Sequence, residues 1–184
     1  MMNFPDTIYL IGYMGSGKST VGRKLADALD YQFIDTDLYI ESRFRKSIAQ
    51  MFAEEGEPVF RKRERILIEE IAGMPRTIIS TGGGLPCFNE NMSLLNESGY
   101  TIYLQRTVPD LAFRLEACRR TRPSVKELTG SELLEHVEKH FAEREPIYLQ
   151  AHLVLPVLSL VPDDNEEHLV EFITSHLKNF RSNP

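Results

Sequence analysis

The segment from Gly12 to Thr20 reads Gly-Tyr-Met-Gly-Ser-Gly-Lys-Ser-Thr, a cluster of glycines followed by a lysine and two hydroxyl side chains. Glycines let the backbone turn tightly, so that successive amide groups can bind phosphate oxygens at the positive end of a following helix. Lys18 could reach the β- and γ-phosphates of a nucleotide, and the Ser19 hydroxyl could coordinate Mg²⁺. The segment therefore predicts a loop that binds a nucleoside triphosphate. The alternative is a glycine-rich turn between a strand and a helix that binds no nucleotide.

The residues on both sides of this loop favour nucleotide binding. Thr7–Ile11 is a short, β-rich apolar run that precedes the loop, and Val21, Leu25 and Leu29 follow it at helical spacing. A strand, a glycine loop and a helix in this order form the local context in which such a motif binds phosphate.

Two aspartates close a second apolar run, in the sequence Asp35-Thr36-Asp37. Residues i and i+2 of an extended chain point to the same side, so both carboxylates would face the phosphate-binding loop. One could organise Mg²⁺ through water molecules, and the other could meet a hydroxyl group that attacks the terminal phosphate. The alternative for Asp37 is a helix N-cap, because a helix is expected to begin at Leu38.

The three glycines after Thr81 and a pair of arginines could bind a small anionic substrate. Thr81 is followed by three glycines, which indicate either a ligand lying against bare backbone or a tight turn. Arg61 and Arg144 could form forked hydrogen bonds with a carboxylate, although an average surface arginine is solvated.

Arg122 lies within residues 119–130, a segment rich in charges and helix breakers that we interpret as a mobile loop. This arginine could close over the phosphates and neutralise charge on the transferred group.

Two histidines, His136 and His140, are separated by one helical turn, a spacing that could bind a metal ion. The residues between them do not match the zinc-protease motif, and the sequence offers no evident third ligand. A solvated helix face is therefore the favoured interpretation.

Strand-like and helix-like patterns alternate along the chain, which predicts an α/β fold with a parallel sheet covered by helices on both faces. Ligands of such sheets bind beyond the carboxyl ends of the strands. This rule places the loop at Gly12 and the segments 35–37 and 82–84 at one edge of the sheet. The predicted strands are residues 7–11, 32–35, 77–81, 100–104 and 152–158. The predicted helices are residues 18–29, two helices within 37–74, and 90–97, 108–118, 130–150 and 165–180.

The bulk composition sets limits on class and partners. At 184 residues the chain is expected to form a single domain, 1–184, that needs no disulfide to fold. Its net charge of −6 gives no sign of a nucleic-acid or anionic-membrane partner. The two cysteines, Cys87 and Cys118, fit a reducing cytoplasm. Because we find neither a signal-peptide pattern nor an apolar run of membrane-spanning length, we expect a cytoplasmic protein. Nothing in the sequence suggests an obligate assembly, so we expect a monomer.

Taken together, these motifs resemble the shikimate kinases. Besides the phosphate-binding loop, the resemblance rests on Phe33-Ile-Asp-Thr-Asp37, Ser47 to Glu57, Phe60-Arg61 with Glu64, the three glycines, Arg122-Pro123 and Arg144-Glu-Pro-Ile-Tyr148. These motifs occur in the order found in the family, and they cover residues 7–148, most of the chain. Ser124 and Val125 depart from the family pattern, which often has leucines after the arginine and proline of the lid.

The resemblance implies a P-loop NTPase-type three-layer α/β/α sandwich with a five-stranded parallel sheet and a mobile lid. It also implies ATP-dependent phosphorylation of the 3-hydroxyl of shikimate, a step of aromatic amino-acid biosynthesis, with Mg²⁺ as cofactor. The implied catalytic residues are Asp37, Lys18 and Arg122, and the implied metal ligands are Ser19 and, through water, Asp35. The residues implied to bind ATP are Gly15, Ser16, Gly17, Lys18, Ser19, Thr20 and Arg122. Those implied to bind shikimate are Asp37, Arg61, Gly82, Gly83, Gly84 and Arg144, with the two arginines on its carboxylate.

Two alternatives remain open. A related small-molecule kinase, of the gluconate type, would share the phosphate-binding loop but has no evident need for Arg61, the three glycines and Arg144. A non-catalytic nucleotide-binding switch fits less well, because the guanine-reading Asn-Lys-x-Asp motif is absent from the sequence. In addition, Lys18, Asp37 and Arg122, which a catalytically inactive relative would be expected to have lost, are all present.

Overall fold

A computed structural model of the chain describes residues 4–118, 125, 127–157 and 165–178. Five strands form one sheet: β1 Thr7–Ile11, β2 Gln32–Asp35, β3 Thr77–Ser80, β4 Tyr100–Gln105 and β5 Leu153–Pro156. Their order across the sheet is β2-β3-β1-β4-β5, and all four neighbouring pairs are parallel. The predicted five-stranded parallel sheet is therefore confirmed.

Helices follow most of the strands, as expected for parallel connections. The described helices are α1 Lys18–Leu29, α2 Thr36–Phe44, α3 Ile48–Glu55, α4 Glu57–Ile71, α5 Asn91–Ser98, α6 Val108–Cys118, α7 Gly130–Tyr148 and α8 Asn165–Lys178. A short 3₁₀ turn spans Leu85–Cys87.

The prediction of two helices between residues 37 and 74 is wrong, because the chain forms three there. Ser47 and Gln50 form a capping box that begins α3, and such reciprocal bonds satisfy amide groups at a helix start. Gly56 ends α3 with a φ angle of 80°, and Pro58 lies in the first turn of α4. A one-residue break at a glycine thus separates two helices that would otherwise run on.

The sheet carries a hydrophobic core on each face because side chains alternate along a strand. Ile8 and Leu10 of β1 pack in a cluster with buried residues of α1 and α8. Tyr9 and Ile11, which point to the opposite face, pack with buried residues of α4, α5, α6 and α7. The predicted three-layer α/β/α arrangement is therefore confirmed.

The strand order brings three functional segments to one edge of the sheet. β3 lies between β1 and β2, and their common direction places the carboxyl ends of all three strands together. The pairing continues past β3, where the amide of Thr81 donates to the carbonyl oxygen of Leu10 at 3.1 Å. The loops after β1, β2 and β3 therefore lie side by side, as the sequence predicts.

Most of the predicted lid, residues 119–124 and 126, lies outside the described part of the chain. That all 184 residues form a single domain stays a prediction. Of the helices that the structure describes, none combines the length and the apolar character required to cross a membrane.

Candidate active site

The loop after β1 adopts the turn that its glycines predict. Gly12, Gly15 and Gly17 have φ angles of 141°, 82° and 95°, values that residues with side chains rarely adopt. The ammonium group of Lys18, a residue only 7% exposed, donates to the carbonyl oxygens of Gly12 and Tyr13 at 2.8 Å each. α1 begins at this lysine, and amide groups at a helix start are the ones that bind phosphate.

Asp35, the last residue of β2, binds Ser19 and caps the helix that follows. The Ser19 hydroxyl donates a hydrogen bond of 2.5 Å to Oδ2 of Asp35. Oδ1 of Asp35 accepts from the amides of Asp37 and Leu38, at 3.1 and 3.3 Å, and so caps α2. The N-cap proposed for Asp37 is therefore formed by Asp35. The prediction that Asp35 and Asp37 both lie on an extended chain is also wrong, because α2 begins at Thr36 and Asp37 is in its first turn.

Ser19 and Asp35 together suit a magnesium ion. Mg²⁺ prefers oxygen ligands, keeps several water molecules, and is usually bound by one or two carboxylates together with substrate phosphates. A hydroxyl and a carboxylate in contact beside the phosphate-binding loop match this set of donors. Among the described residues, no group of three His, Cys, Asp or Glu side chains could hold a metal ion by itself.

The histidines of α7 do not form a solvated face, and that prediction is wrong for His140. Nδ1 of His140 hydrogen-bonds the hydroxyl group of Tyr13, within the phosphate-binding loop, at 2.9 Å. Burial lowers the pKa of His140 to about 4, and the positive charge of Arg144 adds to this effect. α7 therefore packs against the loop, which the spacing of the histidines could not reveal.

The glycines at 82 and 84 leave room for charged side chains. A Cβ atom at Gly82 would collide with the carboxylate of Asp37. A Cβ atom at Gly84 would lie 2.7 Å from the guanidinium of Arg61. Neither glycine has a positive φ angle, so close approach rather than an unusual backbone conformation explains the absence of a side chain at these positions.

The middle glycine connects this segment to the phosphate-binding loop. A Cβ atom at Gly83 would lie 3.2 Å from the backbone nitrogen of Met14 and 3.6 Å from the carbonyl oxygen of Gly12. The hydroxyl group of Tyr148, at the end of α7, donates a hydrogen bond of 2.5 Å to the carbonyl oxygen of Gly83. The backbone of the glycine segment thus meets the backbone of the phosphate-binding loop at Gly83. The Tyr148 hydrogen bond anchors the end of α7 to the glycine segment.

Arg61 on α4 is held on several sides. Its guanidinium donates to Glu57 at 2.7 and 3.0 Å and to Glu64 at 2.6 Å. Its central carbon lies 4.1 Å from the centroid of the Phe88 ring. A planar guanidinium fixed in this way has the restricted orientation that forked bonding to a carboxylate requires.

A buried carboxylate brings the predicted substrate residues together. Glu64 is 1% exposed, and burial raises its pKa to about 7, against the opposing effect of Arg61. The negative charge of Asp37 raises the pKa of Glu64 further, and the positive charge of Arg144 lowers it. Arg61 contacts Glu64 directly, and a Cβ atom at Gly82 would meet carboxylate oxygens of both Asp37 and Glu64. Asp37 and Arg61 therefore adjoin Glu64 at the same edge of the sheet, where the charge of Arg144 also acts on it.

This chain is similar in sequence and in fold to shikimate kinases. The shikimate kinase family model matches residues 14–176. The shikimate kinase of Parabacteroides distasonis is 43% identical over 86% of this chain and 91% of its own length. The crystal structure of shikimate kinase from Bacteroides thetaiotaomicron has a TM-score of 0.89 at 36% identity, covering 95% of this chain and 99% of that one. The chain belongs to the shikimate kinase family.

The activity of the shikimate kinase family, ATP-dependent phosphorylation of shikimate, is therefore the activity of this chain. A shikimate kinase from Acinetobacter baumannii, solved in complex with shikimate, has a TM-score of 0.80 at 30% identity and covers 93% of this chain and 94% of that one. A gluconokinase from Sinorhizobium meliloti, at 17% identity and a TM-score of 0.56, shares the fold alone. These values favour the shikimate kinase interpretation over the gluconate-type alternative.

In this member of the shikimate kinase family, two arginines that no sequence motif reveals hold the phosphate-binding loop. Nε of Arg106 donates to the carbonyl oxygen of Ser16, and Nε of Arg114 donates to that of Gly15, both at 2.9 Å. Arg106 is buried and paired with Asp110 at 2.6 Å. The i,i+4 spacing of this pair could have indicated an ion pair, but not its contact with a loop 90 residues earlier.

A buried threonine joins the segments that follow β2 and β3. The hydroxyl group of Thr36 is fully buried and accepts a hydrogen bond of 2.8 Å from the amide of Gly82. This bond fixes the aspartate segment against the glycine segment. The sequence hints at this role of Thr36 only through its position between Asp35 and Asp37. Those two aspartates suggest chemistry of their own, so the threonine is easily overlooked.

The predicted lid arginine, Arg122, lies outside the residues that the structure describes, so its role stays a prediction. Val125, one of the residues that depart from the family pattern, is fully buried. It packs in the same core cluster as Leu115 of α6 and Leu133 of α7.

Replacing Glu64 by glutamine should change how stability depends on pH. Because burial raises the pKa of Glu64 from 4.5 to about 7, the folded chain binds this proton more tightly than the unfolded chain. The stabilisation is complete below the unfolded pKa and is lost as the pH rises through the folded pKa. We therefore expect the free energy of unfolding of Glu64→Gln, relative to wild type, to increase between about pH 4.5 and pH 8 in urea denaturation.

The matched control for this measurement is Glu97→Gln, at an exposed carboxylate on α5. This variant reports any effect of a glutamate-to-glutamine change that does not come from burial. A constant or falling difference for Glu64→Gln would contradict a pKa raised by burial.

Proposed function

We propose that this chain transfers the terminal phosphoryl group of ATP to the 3-hydroxyl group of shikimate, with Asp37, Lys18 and Arg122 as the catalytic residues. One observation carries this proposal. The Asp37 carboxylate lies against Gly82, where the glycine segment adjoins both the phosphate-binding loop and Arg61. An aspartate beside the phosphate-binding site can serve phosphoryl transfer, because it accepts the proton of the attacking hydroxyl group.

The substrate carboxylate would bind to Arg61 and Arg144. Arg61 is already oriented by Glu57 and Glu64, and Arg144 is buried on α7. Two guanidinium groups on one carboxylate would fix the ring, so that a single hydroxyl group is in line with the phosphate. The remaining substrate contacts that we propose are the backbone groups of Gly82, Gly83 and Gly84.

The nucleotide phosphates would bind to the loop and the start of α1. Lys18, which donates to the carbonyl oxygens of Gly12 and Tyr13 in the loop, would stabilise charge on the transferred group. Ser19 and, through water, Asp35 would hold Mg²⁺, which neutralises phosphate charge when bound. The proposed ATP contacts are Gly15, Ser16, Gly17, Lys18, Ser19 and Thr20.

Arg122 would complete the nucleotide site from the lid, where it would neutralise developing charge and help to exclude water. Water must be excluded because it competes with the substrate hydroxyl group for the phosphoryl group. A monomeric state and a cytoplasmic location stay predictions.

The test of the proposed function is a coupled assay of ADP release from ATP and Mg²⁺ with shikimate, quinate or gluconate as acceptor. We expect the highest kcat/KM with shikimate, because two fixed arginines favour a rigid ring acid over the flexible chain of gluconate. Equal or higher kcat/KM with gluconate, or no ADP release above the acceptor-free rate, would contradict the proposal.

Asp37→Asn should retain part of its shikimate binding but lose most of its turnover. An asparagine keeps the size of the side chain but cannot accept the hydroxyl proton, so kcat should fall by about 10²- to 10⁴-fold. The control is Asp27→Asn, at an exposed aspartate on α1, which should leave kcat unchanged. A kcat for Asp37→Asn close to that of wild type would remove Asp37 from the catalytic role.

Arg144→Lys should weaken shikimate binding, because an ammonium group cannot reproduce the two parallel bonds of a guanidinium. We expect the Kd for shikimate in a titration to rise by about tenfold to a hundredfold. Arg23→Lys, at an exposed arginine on α1, is the matched control. An unchanged Kd for Arg144→Lys would rule out the proposed carboxylate contact.

A further inference from the structure

A tyrosine in the phosphate-binding loop connects the loop to α7. The ring of Tyr13 is buried and packs edge-on against the rings of His140 and Phe141, with centroids 5.8 Å apart in both pairs. Its hydroxyl group hydrogen-bonds Nδ1 of His140 at 2.9 Å. Its carbonyl oxygen accepts from the ammonium group of Lys18 at 2.8 Å and from the amide of Ser16 at 3.2 Å. One residue therefore joins α7 to the turn that holds the lysine.

Both partners of the hydroxyl–imidazole bond are neutral at pH 7. Burial raises the pKa of Tyr13 to about 12. Burial, together with the positive charge of Arg144, lowers the pKa of His140 to about 4. A neutral tyrosine can donate to Nδ1 of a neutral histidine whose ring proton is on Nε2. The bond therefore does not depend on a change of charge near neutral pH.

The helix that carries His140 is itself fixed at the site. One turn further along α7 lies Arg144, and at the end of the helix Tyr148 donates to the carbonyl oxygen of Gly83. α7 thus contacts the phosphate-binding loop through His140 and the glycine segment through Tyr148. A helix held at two points is a rigid support for a flexible glycine loop.

We propose that His140 is a positioning residue for the nucleotide: through its hydrogen bond to Tyr13, it fixes the turn of the phosphate-binding loop that presents Lys18 to the phosphates. Only the kinetic part of the test rests on the proposed function, because the loop's affinity for Mg²⁺-ADP can be measured without the second substrate.

The experiment compares wild type with Tyr13→Phe and His140→Leu by calorimetric titration with Mg²⁺-ADP and by steady-state kinetics with ATP and shikimate. Loss of one buried hydrogen bond should raise the Kd for ADP and the KM for ATP by about threefold to tenfold. The KM for shikimate should change by less than about twofold, because Arg61 and Arg144 are untouched. The double variant should bind ADP no more weakly than the weaker-binding single variant, since both substitutions remove the same hydrogen bond.

Two further variants separate positioning from general loss of packing. His140→Asn keeps a polar atom where Nδ1 lies, so its ADP affinity should be closer to wild type than that of His140→Leu. Tyr100→Phe removes a similar bond, from the Tyr100 hydroxyl to Nε2 of His176 at 3.0 Å, on the other face of the sheet. This control should leave the Kd for ADP unchanged.

Three results would overturn the inference. They are an unchanged ADP affinity in Tyr13→Phe and His140→Leu, a parallel rise in the KM values of both substrates, or the same loss of affinity in Tyr100→Phe. If wild type binds ADP but does not phosphorylate shikimate, the proposed function fails while the titrations still decide the role of His140.

Discussion

The site depends on one constraint, the close contact between the backbone of the phosphate-binding loop and the backbone of the three glycines after β3. Parallel pairing of β1 with β3 places the loop at Gly12 beside the glycines that follow β3. A Cβ atom at Gly83 would make an unusually tight contact, 3.2 Å, with the backbone nitrogen of Met14, while Gly82 and Gly84 leave room for Asp37 and Arg61. The nucleotide half and the substrate half of the site therefore adjoin at a segment that has no side chains.

Charge is balanced inside this site rather than at its surface. Glu64 is buried between the cations Arg61 and Arg144 and the carboxylate of Asp37. Burying a charge is costly unless it is paired and hydrogen-bonded, and the Arg61 contact at 2.6 Å supplies both. Because Glu57 also binds Arg61, this arginine keeps its orientation without the substrate. The second arginine, Arg144, interacts with the hydroxyl group of Tyr148, which in turn donates to the carbonyl oxygen of Gly83.

Much of the fold could be predicted from the sequence because local patterns determine it. Short apolar runs indicated the five strands, and Lys18 and its glycines indicated the loop. The break between α2 and α3 was missed because the helical pattern continues there, although Ser47 and Gln50 have the spacing of a capping box that begins a helix. Arg106, Thr36 and His140 were missed for a different reason. Their partners lie far away in the sequence, and hydrogen bonds of this kind depend on how helices and strands pack, which periodicity does not report.

The most direct test is a crystal structure of the chain with Mg²⁺-ADP and shikimate bound. The 3-hydroxyl group of shikimate should lie within hydrogen-bond distance of the Asp37 carboxylate and face the β-phosphate held by the loop. Its carboxylate should lie between the guanidinium groups of Arg61 and Arg144. A shikimate molecule bound with its carboxylate away from both arginines, or with a different hydroxyl group turned towards the phosphate, would contradict this arrangement.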